Sequence, residues 1–293
     1  RGVNLRLQSN GTDAQQDRNA TTSHHMVNAF NSNGFTLGAD GASGAVNYPW
    51  SSPEYVHWTF RKAPGFFDVV TWTGNGASSR AISHSLGSAP GFITVKAYST
   101  DAPGTGSGSW RSYHRSVGAT KYLKLNEAAA SDTRPEVWNG TTPTASVFTV
   151  GVDNNNNGIT YVAYIFAHDD ASFGTDEDES IIKCGTYSGS GSTDQTIDIG
   201  FEPQWILIKK TSGTAEWQLF DIMRGFGAPY SGNSSELIPT TSVAENAGTR
   251  IHVKANGFSF QGESSTRVNS SGDTYIYMAI RRPNKPPEAA TEV

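Results

Sequence analysis

Leu86-Gly87-Ser88-Ala89-Pro90-Gly91-Phe92-Ile93-Thr94-Val95-Lys96 returns later in the same chain as Ile199-Gly200-Phe201-Glu202-Pro203-Gln204-Trp205-Ile206-Leu207-Ile208-Lys209. Both stretches read aliphatic-Gly-x-x-Pro-x-aromatic, give or take a residue, followed by an apolar strand that ends in lysine. Upstream, Val69–Gly76 and Ile182–Gly191 each offer an apolar run, an aromatic and a Gly-x-Gly turn. Downstream, Trp110–His114 precedes Gly118 as Trp217–Asp221 precedes Gly225. Val147–Gly151 then matches Phe258–Gly262, and Gly158–Tyr164 matches Gly272–Met278. These five landmarks recur in one order at a period of about 110 residues, far beyond the 20–50 of a solenoid, so each unit is expected to be a domain with its own core.

The opening 63 residues carry the closing part of a third copy. Gly34–Gly38 repeats the Phe-Thr-aliphatic-Gly strand and Pro53–Phe60 the closing strand, while Val3–Leu7 echoes Lys121–Leu125 and Ser235–Ile238. The layout read from this is a C-terminal part of a first repeat over 1–63, a second repeat over 64–168 and an acidic linker over 169–179. A third repeat over 180–283 and a Pro-rich tail over 284–293 complete it. The missing opening half of the first unit is expected upstream on a longer chain or from another chain.

Short apolar segments separated by Gly- and Asn-rich turns predict an all-β chain of tandem β-sandwich, jelly-roll-like repeats. Tyr161–Phe166 is apolar on both faces, which marks a central strand. Asn157-Gly158 at the end of Asp153–Gly158 predicts a hairpin, because both residue types tolerate positive φ. A helical turn or two is expected at most, near Asn126–Ala130.

Bulk properties agree. Charged residues make up 17% of the chain and glycines number 31, which disfavours long helices. The net charge is −5 with no basic patch, so nucleic acid is not an expected partner. The single cysteine, Cys184, excludes an internal disulfide and reads as a small buried hydrophobe. No apolar run is long enough for a membrane-spanning helix.

The set Trp72–Gly76, Leu86–Ile93, Trp110–His114 and Gly118–Asn126, extended by Val137-Trp138-Asn139 and Gly158–Tyr164, resembles a β-rich repeat module of marine, especially cyanobacterial, tailed-bacteriophage structural or tail-fibre-like proteins. The likeness covers Gly65–Ala167 well and Gly185–Arg281 more loosely. It implies a virion component and supplies no catalytic residues to carry over.

Candidate sites follow residue by residue. Asp153, Asn155 and Asn157 fit the opening of a D-x-N-x-N-G Ca²⁺ loop, but the position that should hold its closing Glu is Tyr164. His24, His25, His84, His114 and His168 show no metal-ligand spacing. Asp68, Asp101, Glu127, Glu136, Asp198, Glu202 and Asp221 would be the acids of a glycan depolymerase, yet none aligns between the repeats. Trp138, placed after a loop, is the aromatic expected to be exposed and to contact a glycan; repeated aromatics such as Trp110 and Trp217 read as packing. No cofactor is expected. The leading expectation is a non-enzymatic tail-fibre or appendage protein of the virion, a homo-oligomer with three-fold symmetry favoured, bound to other virion proteins and contacting host-surface glycan. A carbohydrate-binding adhesin is the alternative, and a depolymerase stands behind it.

Overall fold

The computed structural model describes residues 5–17, 27–38, 54–99, 108–170, 173–174, 176–192, 194–226, 234–249, 251–261 and 267–282. The tail over 284–293, the pair His24–His25 and Asp101 lie outside the described residues. The chain is all-β, built from antiparallel sheets packed as sandwiches. The strands are β1 (Leu5–Arg6), β2 (Gln16–Asp17), β3 (Val27–Asn31), β4 (Gly34–Leu37), β5 (Phe67–Thr73), β6 (Arg80–Ser83) and β7 (Phe92–Ala97). Next come β8 (Arg111–His114), β9 (Lys121–Lys124), β10 (Asp132–Thr133), β11 (Val147–Val150), β12 (Thr160–Phe166), β13 (Ile182–Ser188) and β14 (Asp194–Asp198). The last are β15 (Pro203–Lys210), β16 (Gln218–Asp221), β17 (Ser234–Glu236), β18 (Asn246–Thr249), β19 (Ile251–Lys254), β20 (Gly257–Gln261) and β21 (Thr274–Arg281). Helical structure among the described residues is confined to 3-10 turns at Pro135–Val137, Val152–Asn154 and Ile222–Arg224.

A six-stranded sheet runs β10-β9-β8-β7-β12-β5, and a four-stranded sheet runs β13-β21-β15-β16. In each, the strand that is apolar on both faces is central: β12 lies between β5 and β7, and β21 between β13 and β15. Alternation then splits their side chains between two cores. Tyr161 stacks on Trp72 at 5.3 Å, and Trp72 meets Phe148 of the small β6–β11 sheet at 5.8 Å. Likewise Tyr275 stacks on Tyr187 at 5.1 Å, and Tyr187 meets Phe260 of the β14-β20-β19 sheet at 5.5 Å.

The opposite faces of the two large sheets pack on each other. Phe92 and Phe166 from one share a core with Trp205, Leu207, Trp217, Ile276, Met278 and Ile280 from the other. Phe92 lies 6.1 Å from Trp217, and Phe60 bridges Phe166 at 5.4 Å and Trp205 at 6.1 Å. The expectation of one separate core per unit is therefore corrected. Lined with large apolar side chains, this face is worth roughly 1.5–3 kcal/mol per buried residue, a gain that sheets kept apart would forgo.

The Asn-Gly run is a second correction. β11 pairs with β6 while β12 pairs with β5 and β7, so the segment between β11 and β12 crosses from sheet to sheet and is no hairpin. The chain from β5 to β6 makes the same crossing beside it, and the two meet at Gly74, where a Cβ would stand 2.0 Å from the Asn156 carbonyl oxygen. The acidic linker is also more than a spacer: Asp169 pairs with Lys183 at 3.3 Å, Glu179 with Arg281 at 3.0 Å, and Phe173 bridges Glu179.

Candidate functional site

Two buried polar clusters bridge stretches of the chain that are far apart in sequence. β7 and β15 each carry, one residue before their last, a lysine with no exposed surface, Lys96 and Lys209. Lys209 donates through Nζ to the carbonyl oxygens of Ala128 at 3.0 Å, Lys210 at 2.9 Å and Ala215 at 2.7 Å. Lys96 donates to Thr12 at 2.8 Å, Gly11 at 3.4 Å and also to Gly108. Burial pulls both ammonium groups down to about 8. Beside each lysine a buried indole makes the companion bond. Trp217 Nε1 donates to the Lys124 carbonyl at 2.9 Å, and Trp110 Nε1 to the Gln8 carbonyl at 2.8 Å. A backbone pair completes each set, Ser131 N to Thr211 O at 3.2 Å and Gln15 N to Tyr98 O at 3.0 Å. Thus one lysine–tryptophan face grips the carbonyls of residues 8–12, and a second grips those of residues 124–128 by the same contacts.

Between the large sheets lies an apolar cavity of about 820 Å³. Trp58 and Phe60, Tyr164 and Phe166 of β12, and Met278 of β21 all line it; the closing strand expected over Pro53–Phe60 is not formed, residues 54–60 lying outside any strand. Leu237, Ile238 and Val243 form part of its rim.

The Ca²⁺ candidates do not converge. Asp153 pairs with Arg134, which also donates Nη2 to Oδ1 at 3.0 Å. Asn155 is fully buried; its Nδ2 donates to Asn75 Oδ1 at 2.6 Å and Ala77 O at 2.9 Å, and its Oδ1 accepts from Asn75 N at 3.2 Å. Asn157 is exposed on the outside of the loop. Asn155 is therefore a latch between the two sheet crossings. Asn269 does the same in the last segment, accepting from Ser190 N at 3.0 Å and donating to Ser192 O at 2.8 Å.

Trp138 corrects its expectation outright. It is only 1% exposed and stands edge-on to Tyr113 at 5.9 Å. The 3-10 turn of Pro135–Val137 folds it inward, a feature that a loop-like neighbourhood conceals. The described acids serve separate local partners. Asp68, buried, accepts from Ser85 N at 2.6 Å and Val69 N at 2.7 Å and pairs with Lys62 at 2.7 Å. Burial raises its pKa, but Lys62 and the two amides outweigh that and hold it below the usual carboxylate range. Glu127 pairs with Lys124, Glu202 with Arg282, and Asp221 with Arg224; Asp198 accepts from Asn256, and Glu136 is exposed.

His114 is buried and within 3.1 Å of the Tyr277 carbonyl, and His168 accepts at Nδ1 from Cys184 N at 3.1 Å. Burial takes both down to about 4. Cys184 is buried, and burial pushes its thiol up. The residues that sequence reading passed over are Lys96 and Lys209. Their signal was present, since a lysine closed each Pro-x-aromatic strand, but a strand-end lysine ordinarily faces water.

A family model described as a domain of unknown function (DUF7483) matches residues 1–283. None of the curated proteins and none of the solved structures matches the chain.

Proposed function

We propose that this chain, which belongs to the DUF7483 family, is a non-enzymatic structural protein of a virion, built of successive copies of one β-sandwich unit within a tail fibre or similar appendage. The observation that carries this reading is the doubled junction. Lys96 with Trp110, and Lys209 with Trp217, grip the preceding segment through backbone carbonyls in the same way. A docking mode that uses main-chain acceptors can be repeated while surface residues change, which suits a serially assembled building block. Strand pairing supports the same reading: β5-β12-β7-β8 and β6-β11 have counterparts in β13-β21-β15-β16 and β14-β20. The resemblance to phage structural modules supplies the virion location and the other virion proteins as partners. A three-fold homo-oligomer and contact with a host-surface glycan remain part of the proposal.

The adhesin alternative loses its leading residue with the burial of Trp138. Antibody raised against the chain, applied to purified particles in immunogold electron microscopy, tests the proposal. Labelling of appendages is expected, and particles free of both label and peptide by mass spectrometry would overturn it.

A further inference from the structure

We infer that residues 238–245, together with the apolar cavity beside them, form an open acceptor site for a β-strand pair bearing a lysine and a tryptophan, of the kind formed by β15 and β16. Three hairpins of the chain share one register: Arg6 faces Gln16, Tyr122 faces Asp132, and Glu236 faces Asn246. Each encloses the same turn, Gly11 N to Gln8 O at 3.4 Å, Glu127 N to Lys124 O at 3.3 Å and Thr241 N to Ile238 O at 3.1 Å. Counted from these pairs, Ile238 stands where Gln8 and Lys124 stand. Ser242 takes the place of Thr12 and Ala128, and Glu245 that of Gln15 and Ser131.

The first two ledges are filled. Their carbonyls receive Trp110 and Lys96, or Trp217 and Lys209, and the amides of Gln15 and Ser131 are bonded across the junction. On the third ledge, residues 242–245 are exposed, Val243 by 58%. A carbonyl oxygen has two lone pairs, so the turn at Ile238 leaves room for an indole N–H, as it does at Gln8 and Lys124.

A second open surface lies across the same cavity. Tyr55–Phe60 has the pattern of Tyr161–Phe166 and Tyr275–Ile280, yet those two segments lie at the centre of sheets while residues 56–60 belong to no strand. Tyr55 is 50% exposed, whereas Tyr161 and Tyr275 are 1% and 0% exposed. His57, Trp58 and Phe60 line the cavity opposite Leu237, Ile238 and Val243. In the filled junctions, the strand that pairs with the closing strand is the one that carries the docking lysine: β7 with β12, and β15 with β21. One strand pair would therefore satisfy both surfaces. Its lysine and tryptophan would reach the ledge, its backbone would extend residues 56–60, and an aromatic in the place of Phe92 or Trp205 would enter the cavity. Adding strands to an exposed edge in this way is an established mode of peptide recognition.

The test uses the full chain and a labelled synthetic peptide with the sequence of residues 203–221, which holds Trp205, Lys209 and Trp217. Saturable one-to-one binding by fluorescence anisotropy is expected, with hydrogen exchange slowed at residues 56–60 and 238–245. Peptides carrying Lys209→Met or Trp217→Ala should bind about tenfold more weakly or worse, as loss of a buried charge-assisted or anchoring contact implies. No binding, binding insensitive to both changes, or protection elsewhere would overturn the inference. So would a Glu245 amide that, without peptide, exchanges as slowly as that of Ser131. None of these outcomes bears on whether the protein is found in particles.

Discussion

The indole of Trp217 donates to the carbonyl of Lys124 across the boundary between two sheets, at 2.9 Å, with the tryptophan only 1% exposed. Trp110 stands in the same relation to Gln8. Trp217→Phe keeps most of the apolar contact and removes the hydrogen bond, so a loss of about 1 kcal/mol is expected, and a similar loss for Trp110→Phe. Trp217→Ala should cost about 3–5 kcal/mol through the cavity it leaves. Urea denaturation of the three variants checks the order.

The latch over the sheet crossings should be less tolerant than its exposed surroundings suggest. Asn155→Ala leaves the Asn75 amide and the Ala77 carbonyl without their partner, for an expected loss of about 2–3 kcal/mol. Gly74→Ala places a methyl group against the Asn156 carbonyl and should be worse, in the range above about 4 kcal/mol reserved for strained backbone. Asn157→Ala, on the exposed outside of the same loop, should change stability by less than about 0.5 kcal/mol. Melting curves of the three proteins settle the ranking.

Trp138→Ala should behave as a core deletion and lower stability by about 3–5 kcal/mol. At a temperature where the variant is still folded, binding on a glycan array should match that of the parent chain. A selective loss of glycan binding with unchanged stability would contradict its burial.

Acid should loosen the contact between the large sheets. His114 and His168 sit near 4 in the folded chain because burial disfavours their charged forms, against an ordinary value of 6.5. Both are neutral in either state above about 6.5, so they impose no penalty there. As pH falls from 6.5 to 4, the unfolded chain takes up protons that the folded chain refuses, and stability drops. For fully buried His114 the drop is on the order of 3 kcal/mol, levelling off below pH 4. Chemical denaturation at pH 7 and pH 4.5 should show a smaller acid loss for His114→Gln than for the parent. An equal loss in both would assign the acid sensitivity to other groups.

Much was legible in the residues themselves. The all-β class followed from short apolar runs between Gly and Asn turns, and the central place of Tyr161–Phe166 followed from apolar side chains on both of its faces. These are local properties, set by the period-two alternation of a strand and by which backbone angles a residue permits. The order of the recurring landmarks also pointed to Trp110 with Trp217 and Phe92 with Trp205 as matched packing positions. The partners of those residues could not be read. Nothing local states that Phe92 of β7 meets Trp217 or that His114 of β8 meets β21, that Trp138 turns inward, or that Asn154 and Asn155 are buried between two crossings instead of exposed on a hairpin. Lys96 and Lys209 show the limit most clearly, because a lysine is buried only where several carbonyls converge on it. Here they come from residues far apart in the chain, such as Thr12 and Gly108 around Lys96. Strand periodicity is written in neighbours along the chain, but satisfaction of a buried charge depends on groups that only the packed sheets bring together.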